Sequence, residues 1–297
     1  VAGSFGTPVY VVDEQSLRGQ ARRYREGLER RRPGSRIAFA SKSFPCQAVY
    51  RLLADEGLWV DVAGAGELRM ALAAGVEPSR ILLHGNAKTD EELALALASG
   101  VGTIVLDGAE EVGRLEAMLS RAQGVWLRVQ PGVDPRTLAG ISTGQHGSKF
   151  GVPLALAPQV IERIRASRWL RLDGLHLHLG SQMLHLEPFT RAVEAIASLG
   201  AFPTYDLGGG LGVSYRRDQP APELDAYLDT IAAAARRHLP DEATIVLEPG
   251  RSLVARSTVT LYRIVTVKAG EPVFVAVDGG IADNFEASVY VGTQFDA

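Results

Sequence analysis

The sequence of 297 residues holds a single cysteine, Cys46. One thiol excludes an intrachain disulfide, and a reducing compartment, the cytoplasm, is the expectation. A charge excess is missing too. Against 31 lysines and arginines stand 34 aspartates and glutamates, for a net charge of -3. Neither sign forms a dominant block, so there is no electrostatic case for nucleic acid or an anionic membrane as the main partner. The basic runs Arg22-Arg23-Tyr24-Arg25 and Arg30-Arg31-Arg32 share a helical pattern with Glu26 and Glu29 and read as a solvated face. No apolar run approaches a membrane span, and no signal-peptide pattern is present. There is no low-complexity segment and no early glycine-rich dinucleotide fingerprint.

What is there is apolar and regularly patterned. Hydrophobic residues make up 46% of the chain, which supports a substantial core and argues against disorder. Val9-Tyr10-Val11-Val12 is a short β-branched run. Asp13 then caps a helix in which Leu17, Ala21, Tyr24 and Leu28 recur at helical spacing, and Pro33-Gly34 ends it. A strand–helix alternation follows. Strands are expected at 36–40, 59–62, 81–84, 103–106, 125–129, 172–179, 204–207 and 244–247. Helices are expected at 46–56, 66–74, 109–122, 156–166, 186–199 and 223–238, with another that Thr89 caps and Glu92 completes as a capping box. Eight such steps are the count of an α/β fold of the (β/α)8 TIM-like barrel kind. The strands are short and apolar, as buried parallel strands should be. A doubly wound open sheet commonly has fewer strands and would want the missing fingerprint. Beyond Arg251 the texture changes, and 257–268 and 272–277 read as longer strands. The expected organisation is an N-terminal strand over 1–12 associated with that later segment, a barrel over 13–252, and the incomplete start of a β-rich C-terminal domain over 253–297.

In such a barrel the chemistry sits at the carboxyl ends of the strands. The first barrel strand delivers Lys42 in Ser41-Lys42-Ser43, and a lysine there can form a Schiff base with an aldehyde cofactor. The sixth delivers His176 and His178, two residues apart and so on one face. The seventh runs into Gly208-Gly209-Gly210, whose amides can approach an anion closely, and the eighth ends in Glu248-Pro249-Gly250-Arg251. Taken singly, each has a plain reading: a solvated lysine, a core histidine, a flexible turn, a surface carboxylate. Together, an amine, a phosphate cradle and a carboxylate in one mouth fit pyridoxal phosphate. Metal-dependent hydrolysis is the rival, since His-x-His on a barrel strand is a good metal pair. It would want that pair on the first strand and a lysine on a middle one, the reverse of the order here, and no metal is expected.

These segments, taken together, resemble the fold-type III pyridoxal-phosphate decarboxylases, on their diaminopimelate decarboxylase branch. The likeness is carried by Phe39-Ala40-Ser41-Lys42, Val60-Asp61-Val62, Gly66-Glu67-Leu68, His84-Gly85-Asn86 with Lys88, and Ser148-Lys149-Phe150-Gly151. His176-Leu177-His178-Leu179-Gly180-Ser181-Gln182, Asp206-Leu207-Gly208-Gly209-Gly210 and Glu248-Pro249-Gly250-Arg251 complete it, in the family's order. The resemblance implies that Lys42 carries the cofactor and that His178 stacks on its ring. Ser181, Gly208, Gly209, Gly210, Gly250 and Arg251 would bind its phosphate. Glu248 would pair with the pyridine nitrogen, and Arg128 would lie near the phenolic oxygen. Asp61 and Glu67 would support the lysine side. Arg251, Glu286 and Tyr290 would face an amino-acid substrate, with Tyr290 also near the phosphate, and a homodimer with shared sites is implied.

Two departures bear on activity. Glu286 stands where the diaminopimelate branch has an arginine for the distal carboxylate, which opens a lysine- or ornithine-type substrate. The family's Cys-Glu-Ser segment, which donates a cysteine across the dimer, would lie beyond Ala297. Without that segment the expectation is cofactor binding with little turnover. A racemase would need a base opposite Lys42, and a single-barrel pyridoxal-phosphate carrier would lack the later β segment.

Overall fold

The computed structural model describes residues 1–137, 142–145, 147–215 and 217–284. Eight parallel strands close a barrel: β2 (Arg36–Ala40), β3 (Trp59–Val62), β4 (Ile81–Leu83), β5 (Thr103–Leu106), β6 (Gln123–Gln130), β8 (Leu170–His176), β9 (Thr204–Asp206) and β10 (Thr244–Leu247). Each pairs with the next, and closure comes where Val246 of β10 meets Arg36 of β2. β1 (Val9–Val12) precedes the ring, and β7 (Val152–Pro153) pairs parallel with the end of β6.

Strand alternation sorts the side chains into two sets. Ala38, Leu82, Val105, Trp126 and Val246 pack inside the barrel with Trp59. Their neighbours, among them Ile37, Phe39, Val60, Leu83, Leu127, Leu175 and Leu247, face outward into the cluster shared with the helices. The interior is therefore a packed plug, and chemistry is confined to the rim above it. One step of two residues up from that plug, every strand but the first places a polar side chain: Asp61, His84, Asp107, Arg128, His176, Asp206 and Glu248. All seven are buried.

The expected elements recur with informative differences. Asp13 caps the helix Glu14–Arg31 by accepting from Ser16 N at 3.1 Å, and Thr89 with Glu92 forms the capping box of Asp90–Ser99. The helix expected over 109–122 is only Glu110–Met118, because Leu119 turns extended and β6 begins early, at Gln123, which bonds to Trp169 O. The sixth barrel strand, expected to reach residue 179, ends at His176, so His178 lies in the loop above it. The strand expected over 257–268 is two. β11 (Thr258–Leu261) pairs antiparallel with β1, while β12 (Ile264–Lys268) pairs with β13 (Phe274–Val277). The chain changes partner at Tyr262-Arg263, where Asp278 Oδ1 accepts from Arg263 N at 2.9 Å. β12 and β13 are exposed along their length.

Candidate active site

The polar layer surrounds Glu248. His84 Nε2 lies 2.8 Å from Glu248 Oε1, and His176 Nε2 lies 3.2 Å from Oε2. The two imidazoles meet edge to face at 4.7 Å between centroids. Asp61 stands 3.7 Å from His84, and one donor atom from each of His84, His176, Asp206 and Glu248 lies within 4.8 Å of the others. Burial acts on all of them, and their neighbours decide the outcome. Burial alone would raise the Glu248 pKa, but His84 and His176 outweigh it and hold the carboxyl well below its ordinary range. Burial would depress His84, yet Asp61 and Glu248 raise it. Asp61 is pushed up to about 6 by burial, against the pull of His84. Asp206 is raised well above its usual value by burial and by Glu248, while burial lowers His176 to about 3. These directions favour the charged forms of Glu248 and His84 and the neutral forms of His176 and Asp206.

Lys42 rises from the 3-10 turn Ser41–Ser43 at the end of β2, with its side chain exposed to the mouth. The turn is tied on both sides. Ser41 Oγ donates to Glu67 Oε2 at 2.7 Å, which also accepts from Ala63 N at 2.7 Å beyond β3. Ala40 N donates to Pro249 O at 3.2 Å. The lysine charge acts on His178 and on Asp61 across the mouth. His178 Nδ1 accepts from Gly209 N at 3.3 Å, which makes the ring the neutral Nε2–H tautomer. Burial, then Lys42 and Arg128, depress its pKa well below the ordinary value and keep it neutral. The His-x-His pair therefore diverges: His176 turns to Glu248, and His178 turns to the glycine loop.

That loop is packed tight. A Cβ on Gly209 would lie 2.1 Å from Glu248 O, and one on Gly210 2.5 Å from Gly180 O. Gly208, at φ +65°, would bring a Cβ to 2.5 Å from Leu177 O. Glycine is required here by close backbone approach, which the flexible-turn reading did not foresee. Two of the three amides are engaged within the chain: Gly208 N donates to Asp206 Oδ1 at 2.8 Å and Gly209 N to His178. At the rim, Arg251 Nε donates to Ser181 Oγ at 3.1 Å and Nη1 to Tyr215 at 2.9 Å. Gly250 lies against Ser43, at 3.0 Å from its Cβ to the position a Gly250 Cβ would take. Arg128 is buried over the Phe150 ring and faces Asp107 at 3.4 Å.

The structure thus brings together Lys42, Asp61, Arg128, His178, Ser181, Gly208, Gly209, Gly210, Glu248, Gly250 and Arg251. Glu286 and Tyr290 lie outside the described residues. Sequence reasoning gave no separate role to His84, Asp206, Asp107 or Tyr215. The first three end or follow strands β4, β9 and β5, so the rule that took Lys42 and Glu248 from strand ends would have found them too.

The groups suit pyridoxal phosphate: an exposed lysine amine, a buried carboxylate held low in pKa by its histidines, an imidazole kept neutral, and a close-packed glycine loop beside an arginine. The comparisons agree. The model of the "Pyridoxal-dependent decarboxylase, pyridoxal binding domain" matches residues 14–255. The diaminopimelate decarboxylase of Actinosynnema pretiosum subsp. auranticum is 44% identical over 303 residues, covering 98% of this chain and 68% of that protein. That of Staphylococcus aureus is 36% identical, covering 98% and 72%. Among solved structures, the Helicobacter pylori diaminopimelate decarboxylase complexed with L-lysine superposes with a TM-score of 0.89 at 30% identity, covering 96% of this chain and 73% of that one. The chain belongs to the pyridoxal-dependent decarboxylases.

Proposed function

We propose that this chain decarboxylates meso-diaminopimelate to L-lysine. The observation that carries the chemistry is the buried Glu248, held between His84 and His176 at the carboxyl ends of the strands, where Lys42 also lies. The likeness to diaminopimelate decarboxylases, at 44% and 36% identity over almost the whole chain, supports the substrate.

Pyridoxal phosphate, when bound, supplies an aldehyde that captures the substrate amine and a ring that accepts the electron pair released with carbon dioxide. The residues then divide the work. Lys42 would hold the aldehyde through its amine. Glu248, held in its charged form by the neighbouring histidines, would keep a proton on the ring nitrogen. His178, kept neutral, would pack against the cofactor without adding a charge that would oppose that proton. Ser181, Gly210, Gly250 and Arg251 hold the phosphate. Gly208 and Gly209, their amides engaged within the chain, contribute chiefly by shaping the loop. Arg128, oriented by Asp107, serves the phenolic oxygen, and Asp61 supports the lysine side. Arg251 would face the substrate.

We further assign 13–252 as the catalytic barrel, with 1–12 and 253–297 belonging to a β-rich unit, and a cytoplasmic homodimer with shared sites as the working assembly. Among the described residues no helix is long and apolar enough to cross a membrane. Carbon dioxide release from diaminopimelate, lysine and ornithine tests the substrate. Preference for diaminopimelate is expected; preference for lysine or ornithine would assign the discrimination to Glu286 and overturn the proposal.

A further inference from the structure

Glu248 is buried among acids. Asp206 approaches from the end of β9 and Asp61 from β3, and a carboxyl in such company ordinarily protonates. A protonated Glu248 would have no charge with which to keep a proton on a ring nitrogen. Something must therefore offset both the burial and the neighbouring acids. Arg128 and Lys42 act on this region, yet neither makes an ion pair with Glu248: Arg128 pairs with Asp107, and Lys42 is exposed at the mouth. Three groups contact the Glu248 carboxylate directly: Asp206, whose carboxyl hydrogen-bonds to it, and two that can carry positive charge, His84, 2.8 Å from Oε1, and His176, 3.2 Å from Oε2.

The two imidazoles are not equivalent. His84 also faces Asp61 at 3.7 Å, so two carboxyls bear on it. His176 is wholly buried, and among the described residues its one carboxylate ion contact is Glu248. His84 is thus the member of the pair placed to carry positive charge, while His176 donates a neutral hydrogen bond. The charged and titratable groups facing His84 are Asp61, Glu248, His176, Asp206 and Arg128, with Lys42 acting through Asp61.

We propose that His84 is a positioning residue: its imidazolium, 2.8 Å from Oε1, is the countercharge that keeps Glu248 ionised, while His176 holds Oε2 by a hydrogen bond. Each carboxylate oxygen has two acceptor sites, so this grip leaves capacity for a ring N–H. The inference rests on reading Glu248 as the partner of the ring nitrogen, but the grip itself is a property of the chain alone and is tested without cofactor.

The test follows the imidazole Cε1–H resonances of the cofactor-free chain through a pH titration by NMR, with His84 assigned by its loss in His84→Gln. The His84 midpoint is expected above the ordinary imidazole value of about 6.5, and in Glu248→Gln it should fall by more than one pH unit. The ring-nitrogen 15N shift of labelled pyridoxal phosphate, bound to wild type and to His84→Gln, is the second readout. Glutamine keeps a donor toward Oε1 without the charge, so the variant should retain the fold and bind cofactor while its ring nitrogen shifts toward the unprotonated value. A His84 midpoint indifferent to Glu248→Gln, or an unchanged nitrogen shift in His84→Gln, overturns the proposal. Failure of the wild type to bind pyridoxal phosphate would instead overturn the reading of the site and leave the NMR titration to decide the grip.

Discussion

Replacing Gly209 by alanine is the sharpest packing test of the site. The added Cβ would sit 2.1 Å from Glu248 O and 2.9 Å from its carbonyl carbon, whereas Cβ contacts essentially never fall below 3.0 Å. The obstacle is main chain, so no side-chain rotation relieves it. The loop after β9 or the one after β10 must retreat by about an ångström, and overpacking of this kind costs about 1–3 kcal/mol, with rigid backbone at the upper end. The retreat also disturbs the hydrogen bond from Glu248 N to Gly208 O, now 2.8 Å. Gly19 gives the matched control. It lies mid-helix with nothing within 4 Å of its Cβ position, so Gly19→Ala should stabilise by about 0.5–1 kcal/mol. The same chemical change should therefore separate the two variants by roughly 3–4 kcal/mol in urea unfolding. Gly209→Ala should also bind pyridoxal phosphate more weakly, since the displaced segment carries Glu248. A Gly209→Ala chain as stable as wild type, with unchanged cofactor affinity, would refute the argument that this loop is glycine because of close packing.

Other outcomes follow from the same structure. Lys88 is buried, with Nζ 3.0 Å from Glu111 and 2.8 Å from Val105 O, so Lys88→Met should destabilise by about 3–5 kcal/mol in urea melts by stranding Glu111. Adding Glu111→Gln should recover much of that loss. Thr89→Ala should cost about 1 kcal/mol through the lost capping box, read in the same melts. Asp61 rises to about 6 in the fold from an ordinary 3.8, so the folded state binds the extra proton between those values. Its contribution to stability is then fully present below 3.8 and lost as pH rises through about 6. Asp61→Asn should remove that part of the slope when unfolding free energy is measured against pH.

Much of this was legible in the sequence, and the reasons are physical. Parallel strands of a barrel are buried on both faces, so each reads as a short apolar run between amphipathic helices. Their carboxyl ends point to one mouth, so Lys42 and Glu248, more than two hundred residues apart in the chain, could be placed together without coordinates. The partner change at Tyr262-Arg263 was not legible. Both halves of 257–268 are β-branched, and only the distant strands Val9–Val12 and Phe274–Val277 decide which edge each half joins. Nor was the division of labour between the histidines, because His178 leaves the strand that His176 ends. The engagement of the Gly208 and Gly209 amides is likewise a fact of the folded loops.

The central claim is that Lys42 carries pyridoxal phosphate in this mouth. Its most direct test is borohydride reduction of the cofactor-supplied chain, followed by peptide mass mapping. The account predicts the reduced cofactor's mass on the peptide bearing Lys42, with the visible-edge absorbance band lost in Lys42→Ala. A label on another lysine, or no label on a wild-type chain supplied with cofactor, would contradict it.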